Sequence, residues 1–297
     1  MQTKDNQAIV TGATGAIGFA ICHGWAKKNI LKYFRFIFKK AVTSCLFSSL
    51  IGLTAIAQEY TFTITGANQH DIPVSVELKG IPYNPAENWV LTEKLGSAES
   101  VVSYQIENGY PDRLWWILKA NKGKPQQRTY TFSKKGASRS NTTELSFTKN
   151  EQHLTIFKKG APVLQYNHAL TPPPAGKNPL YARSGYIHPL YAPSGFELTT
   201  IHPEDHIHHM GLWNPWTKTK FEERQLDFWN LNKGEGTIKF ADFISHYAGP
   251  VFSGFRSLHE HIDLTAPTIT GSKVALNEEW DVRVYNSAEG YTIVDFI

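Results

Sequence analysis

The sequence predicts an all-β protein built as an antiparallel β-sandwich, and three observations carry that prediction. From Tyr60 onward apolar and polar residues alternate with a period of two, as in Tyr60, Phe62 and Ile64 or Val74, Val76 and Leu78. Turn-forming stretches (ENGYPD, NKGKP, KNEQ and KKGAP) interrupt the alternation at short intervals. No sustained helical period follows residue 57. Many short strands separated by such turns close into a sandwich or a barrel.

In chain order, the first segment is unlike the rest. Residues 8–29, AIVTGATGAIGFAICHGWAKKN, resemble the first strand, turn and helix of a short-chain dehydrogenase, with Gly12, Gly15 and Gly18 at the spacing that lets a pyrophosphate approach a helix N-terminus. The match covers about twenty residues, on the scale of one nucleotide-binding turn. No acid lies between Asp5 and Glu59 to hold a ribose. Tyr130 and Lys134 have that family's YxxxK spacing, but TYTFSKK alternates as a strand and the pair belongs on a helix. Residues 1–30 are therefore expected to be a fusion or gene-model remnant. An NAD(P)-dependent dehydrogenase ranks last among the functions considered.

Residues 31–57 read as a secretory signal peptide. KYFRFIFKK is its basic part, AVTSCLFSSLIGLT its apolar run, and Ala55-Ile56-Ala57 its cleavage site, so the mature chain is expected in the periplasm or outside the cell. The apolar run is shorter than the roughly 20 residues that span a bilayer, and no span is expected in the mature chain. This leader also explains the overall charge of +4. Seven of the 30 Lys and Arg residues but only one of the 26 acids precede residue 58, leaving the remainder at −2. A nucleic-acid partner loses its support. Both cysteines, Cys22 and Cys45, lie in the leader too, so any metal must be held by nitrogen and oxygen.

Beyond the leader, strands are expected at 60–64, 72–78, 100–106, 113–119, 127–133, 143–148, 153–158 and 162–166, then at 236–244, 250–264, 272–285 and 291–297. The proline-rich TPPPAGKNP (171–179) is the expected boundary between an N-terminal β part, 58–170, and a site-bearing β part, 171–297. The final YTIVDFI stops within a strand, which predicts that further strands follow.

The chemistry concentrates in 183–230. Five of twelve histidines fall between His188 and His209, beside Arg183, Glu204, Asp205, Trp213, Trp216, Asp227, Trp229 and Asn230. Imidazole titrates near neutral pH and is the commonest metal ligand, while tryptophan offers a flat face to a sugar ring. If the HPEDHIHH segment is extended, His206 and His208 share a face. If it turns from Pro203, His202, His206 and His209 do. His206 and His208 are the expected acid/base groups, with Asp205 or Glu204 orienting one of them. Arg183, His188, Trp213, Trp216, Asp227, Trp229 and Asn230 are the expected ligand contacts. A divalent metal on His202, His206, His208 and His209 is the cofactor considered, although the spacing matches no standard zinc motif. Gly185, Gly195 and Gly211 are assigned to turns. Alternation sends Asp227 and Trp229 one way, and Phe228 and Asn230 the other. His246, His259 and His261 read as ordinary surface or core residues.

His188-Pro189, Pro193-Ser194-Gly195, Pro203, Asp205-His206, His208-His209, Gly211-Leu212-Trp213, Trp216 and Asp227-Phe228-Trp229-Asn230 together resemble an exported bacterial family labelled methane oxygenase PmoA. Pro215 departs from its pattern, which has a small residue before the second tryptophan. A particulate methane oxygenase subunit is an integral membrane protein, and nothing after residue 57 approaches a spanning helix. The resemblance instead implies a sandwich similar to the galactose-mutarotase supersandwich, and a role with carbohydrate. The leading expectation is thus an exported protein acting on or binding a glycan or other small molecule, epimerase-like or lyase- or hydrolase-like if catalytic. The alternatives are a non-catalytic glycan-binding module and a metal-dependent oxidoreductase or hydrolase.

Overall fold

The structure, a computed structural model, describes residues 7–11, 59–134 and 143–297. It is almost entirely β, and among the described residues the only helices are two single 3₁₀ turns, Pro179–Tyr181 and Leu231–Lys233. The contacts divide the chain into two compact units, with the division at 142/143. The strands are β1 (Gln7–Thr11), β2 (Glu59–Gly66), β3 (Ile72–Glu77), β4 (Trp89–Leu95), β5 (Ala98–Val102), β6 (Tyr104–Glu107), β7 (Arg113–Leu118), β8 (Gln126–Lys134) and β9 (Leu145–Lys149). They continue as β10 (His153–Lys158), β11 (Ala161–Asn167), β12 (Tyr186–Leu190), β13 (Thr219–Phe221), β14 (Arg224–Leu226), β15 (Gly236–Ala248), β16 (Phe252–Asp263), β17 (Lys273–Tyr285) and β18 (Tyr291–Phe296).

In the first unit a sheet ordered β2-β8-β4-β5 accompanies a sheet ordered β3-β7-β6. Every pairing in these sheets is antiparallel. Inward-facing aromatics fill the core, with Trp89 stacked on Phe132 at 4.7 Å and Trp116 beside Tyr130 at 5.0 Å. Tyr130 and Lys134 lie on strand β8. The Tyr130 hydroxyl is sealed inside and donates to Glu93, and Lys134 pairs with Glu87 at the surface. Neither is placed as a dehydrogenase pair would be.

In the second unit the sheet β12-β11-β10-β9 and the sheet β1-β18-β17-β16-β15 share one apolar core. Tyr166 of β11 meets Phe255 of β16 at 4.4 Å across it. All pairings are antiparallel except that of β1 with β18. The strands β15, β16 and β17 are 12–13 residues long and form the platform on which the loops rest.

Several elements differ from the sequence expectation. Strand β4 went unpredicted because it opens on a run of four buried residues and so shows no alternation. The expected strand over 100–106 is two strands meeting at Ser103. The proline-rich 171–179 segment joins β11 to β12, neighbours in one sheet, so it lies inside the second unit. Pro189 sits in β12, an edge strand, where a missing N–H is tolerated. Gly12, Gly15, Gly18 and the signal segment 31–57 lie outside the described residues.

Candidate functional site

The loop after β12 carries the histidines. Its neck is pinned by backbone bonds, Gly211 N to Thr200 O at 2.9 Å and His202 N to His209 O at 2.8 Å. Leu212 exchanges two further bonds with Ile187 of β12. Within the neck His206 N donates to Pro203 O, and His209 N donates to His206 O. These are two tight turns in succession, and Pro203 presets the backbone of the first. The turn reading of the sequence therefore prevails over the extended one. Residues three apart share a face, and the rings of His206 and His209 stack at 4.8 Å. His208 packs edge-on to His209 at 4.6 Å, and Trp229 lies 5.8 Å from His209. Asp205 Oδ2 accepts from His206 Nδ1 at 2.9 Å, which fixes the ring and turns Nε2 away from the carboxylate. Burial first, then the neighbouring histidines, hold His208 and His209 below the ordinary imidazole value.

Next to this cluster is a buried polar group. Arg183 is 1% exposed and lies flat on Trp213, its guanidinium carbon 3.7 Å from the ring centroid. Trp213 in turn touches Trp229 at 5.8 Å. From β16, His259 and His261 point inward and are completely buried. Glu278 of β17 stands directly opposite His259 in the register. Its carboxylate accepts from His261 Nε2 at 3.0 Å and from the Asn214 amide, and lies 3.8 Å from His259 Nδ1. His259 Nε2 meets the Tyr166 hydroxyl at 2.5 Å. Burial holds the Tyr166 proton in place, so the hydroxyl is the donor and the neutral His259 ring carries its hydrogen on Nδ1.

The remaining expected residues fall as follows. His188 is half-buried on β12 and engaged with Thr199 at 3.0 Å, with Glu197 at 3.7 Å. His202 takes a left-handed backbone and turns its Nδ1 to the Ile207 carbonyl at 2.7 Å. Among the described residues no three His, Cys, Asp or Glu side chains stand where they could share one metal ion. The four-histidine set is thus not assembled, because the turn that stacks His206 on His209 directs His202 to backbone instead. Trp213 is buried, whereas Trp216 is 49% exposed. Asp227 and Asn230 do not alternate. Asp227 accepts from the backbone N–H of Trp229 and Asn230, from the Asn230 amide and from Lys233 Nζ. This Asx-type turn replaces the expected alternation and presents Trp229 to the histidines. Burial raises the Asp227 pKa, but Lys233 and these N–H groups outweigh it and hold the carboxyl well below the usual range. Asp227 and Asn230 therefore build the site rather than face a ligand.

Sequence reasoning missed Glu278, His259 and His261. The signal was present: Ser253, Ser257, His259, His261 and Asp263 are all wholly buried on one face of β16, a polar row at period two. Each histidine was weighed singly, so the row went unseen.

Residues 153–297 match a family of unknown function (DUF6807). The matched span contains every site residue named above and none of the first unit. It overturns the expected kinship, for neither the PmoA-labelled family nor a short-chain dehydrogenase family matches the chain. No curated protein and no solved structure matches it either.

The buried histidine has a thermodynamic consequence. Burial pushes the His259 pKa down to about 4, with Glu278 opposing and His261 and Arg183 assisting. The folded value lies below the unfolded value of about 6.5, so between these pH values the unfolded chain binds a proton that the folded chain refuses. This contribution to stability is complete above pH ~6.5 and declines by about 3 kcal/mol as pH falls to ~4. Urea unfolding at pH 7.5 and 4.5 should show His259→Gln losing less stability than the wild type over that interval. Equal losses would contradict the assignment.

Proposed function

We propose that the second unit binds a carbohydrate at the His206–His208–His209–Trp229 cluster and performs acid/base chemistry on it. The observation that carries this reading is the Asp205–His206 pair, in which a carboxylate fixes one ring nitrogen and directs the other outward beside stacked imidazoles and an indole. A positioned imidazole is the commonest protein acid/base group, and an indole face complements the C–H face of a sugar ring. Trp216, half exposed, is a second candidate platform. His208 and His209, held below the ordinary imidazole value by burial, are disposed to accept hydrogen bonds from hydroxyl groups at neutral pH. Residues 31–57 serve as the export signal in this reading, and the ligand is met outside the cytoplasm. Among the described residues no helix is long and apolar enough to cross a membrane.

A sugar panel screened by thermal shift and calorimetry, followed by product analysis, tests the reading. The wild type should bind at least one sugar and convert it. Trp229→Ala should weaken binding about tenfold or more, as loss of one stacking contact implies. His206→Ala should lower turnover by about 10²–10⁴ with binding largely kept. A protein that binds but whose turnover survives both His206→Ala and His208→Ala is a binding module instead. Absence of any sugar binding would refute the proposal.

A further inference from the structure

Arg183 is a buried cation whose hydrogen-bonding capacity is unspent. Its Nε and Nη1 are sealed from solvent, and among the described residues they find no acceptor. Among the described residues its close side-chain partner is the face of Trp213, which attracts the charge but takes no N–H. Glu278, the carboxylate whose charge Arg183 feels, is occupied elsewhere, by His261 and Asn214. Burying a guanidinium with unmade bonds costs several kcal/mol by comparison with a paired one. Lysine cannot substitute for what such a group offers, a planar set of fixed donors matched to a carboxylate. Arg183 also belongs to the same site as the histidines, since its charge is felt by His208 as well as by His259.

We infer that Arg183 is an anion-recognising group of this site, and that its ligand is an acidic sugar whose carboxylate accepts from the guanidinium. This inference rests on the carbohydrate reading above and adds the substrate class. The carboxylate supplies the acceptors that the fold withholds, since Glu278 lends Arg183 its charge but Nε and Nη1 no hydrogen bond. Trp213 keeps the guanidinium plane fixed, so little ordering remains when the ligand arrives.

The test is calorimetry on the full chain with glucuronate and galacturonate, each beside its neutral parent sugar, glucose or galactose, and with acetate and phosphate. The wild type should bind a uronate at least tenfold more tightly than the neutral parent, about the effect of one charge-assisted hydrogen-bonded contact. Arg183→Lys, checked for folding by circular dichroism, should lose that preference, its uronate and neutral-sugar affinities coming within about threefold of each other. If Arg183→Met also folds, it should behave likewise. Equal wild-type affinities for uronate and neutral sugar would overturn the inference and leave the carbohydrate reading standing. Binding of acetate or phosphate without any sugar would keep the anion site and remove the carbohydrate reading. A preference that survives in Arg183→Lys assigns the carboxylate to another residue and overturns the inference.

Discussion

Glu278→Ala is expected to destabilise the protein by about 3–5 kcal/mol, the range for removing one partner of a buried ionic group. Among the described residues Glu278 is the only carboxylate bonded to His261, and it also accepts from Asn214 and opposes His259 across the β16–β17 pairing. Its charge supports that of Arg183. Burial alone raises its pKa, yet His261 and Asn214 together bring the carboxyl below its usual value, so it is ionised at neutral pH. Removing it leaves Arg183 buried without the charge that supports it, and His261 Nε2 and the Asn214 amide without their acceptor. Glu278→Gln keeps the shape and an acceptor, and should cost roughly half as much. Urea unfolding of the two variants checks this. A Glu278→Ala chain within about 1 kcal/mol of wild type would show that the buried network does not hold the sandwich together.

Gly211→Ala is expected to have an effect of similar size, combined with loss of ligand binding. Gly211 has a φ of +59°, and a Cβ there would lie 2.3 Å from the Ile187 carbonyl oxygen and 2.9 Å from His188 Cβ. The backbone has no room to yield, because Leu212 and Ile187 are joined by two hydrogen bonds and Gly211 N is bonded to Thr200. Left-handed strain plus a backbone clash should cost about 2–4 kcal/mol. The loop neck must open to relieve it, which separates His206 and His209 from Trp229. Gly195→Ala is the control: its φ is +84°, but no atom lies within 4 Å of the added methyl. It should cost about 1–2 kcal/mol and leave ligand binding intact. Equal melting temperatures for Gly211→Ala and wild type would contradict the packing described.

Much of the fold was legible because period two is a local property. The strands around Tyr60, Val74, Leu154 and Val282 announce themselves by alternation, and the turns between them by glycine, proline and asparagine. What was illegible depends on partners distant in sequence. The strand Trp89–Leu95 opens on four residues buried on both faces, Trp89, Val90, Leu91 and Thr92, and only the tertiary fold reveals why. The candidate site divides the same way. In the loop half, the crowding of His206, His208 and His209 could be anticipated because they are neighbours in sequence, although a turn from Pro203 and an extended path both stayed open. Most of the floor could not, since His259 and Glu278 meet only through the β16–β17 register, and Arg183 could be named but not placed beside them. The roles of Asp227 and Asn230 were misread because the sequence does not say whether a short polar residue will accept from its own backbone or extend as a strand.

The central claim, that the histidine loop is a ligand site, is tested most directly by NMR on the full chain with isotope-labelled histidine. Its twelve histidines give separate ring signals, assignable by single substitutions. Titration with a sugar that binds should shift the signals of His206, His208 and His209, and leave those of His70 and His153 unmoved. Shifts confined to His70 or His153, with the three loop histidines unchanged at saturation, would contradict the account.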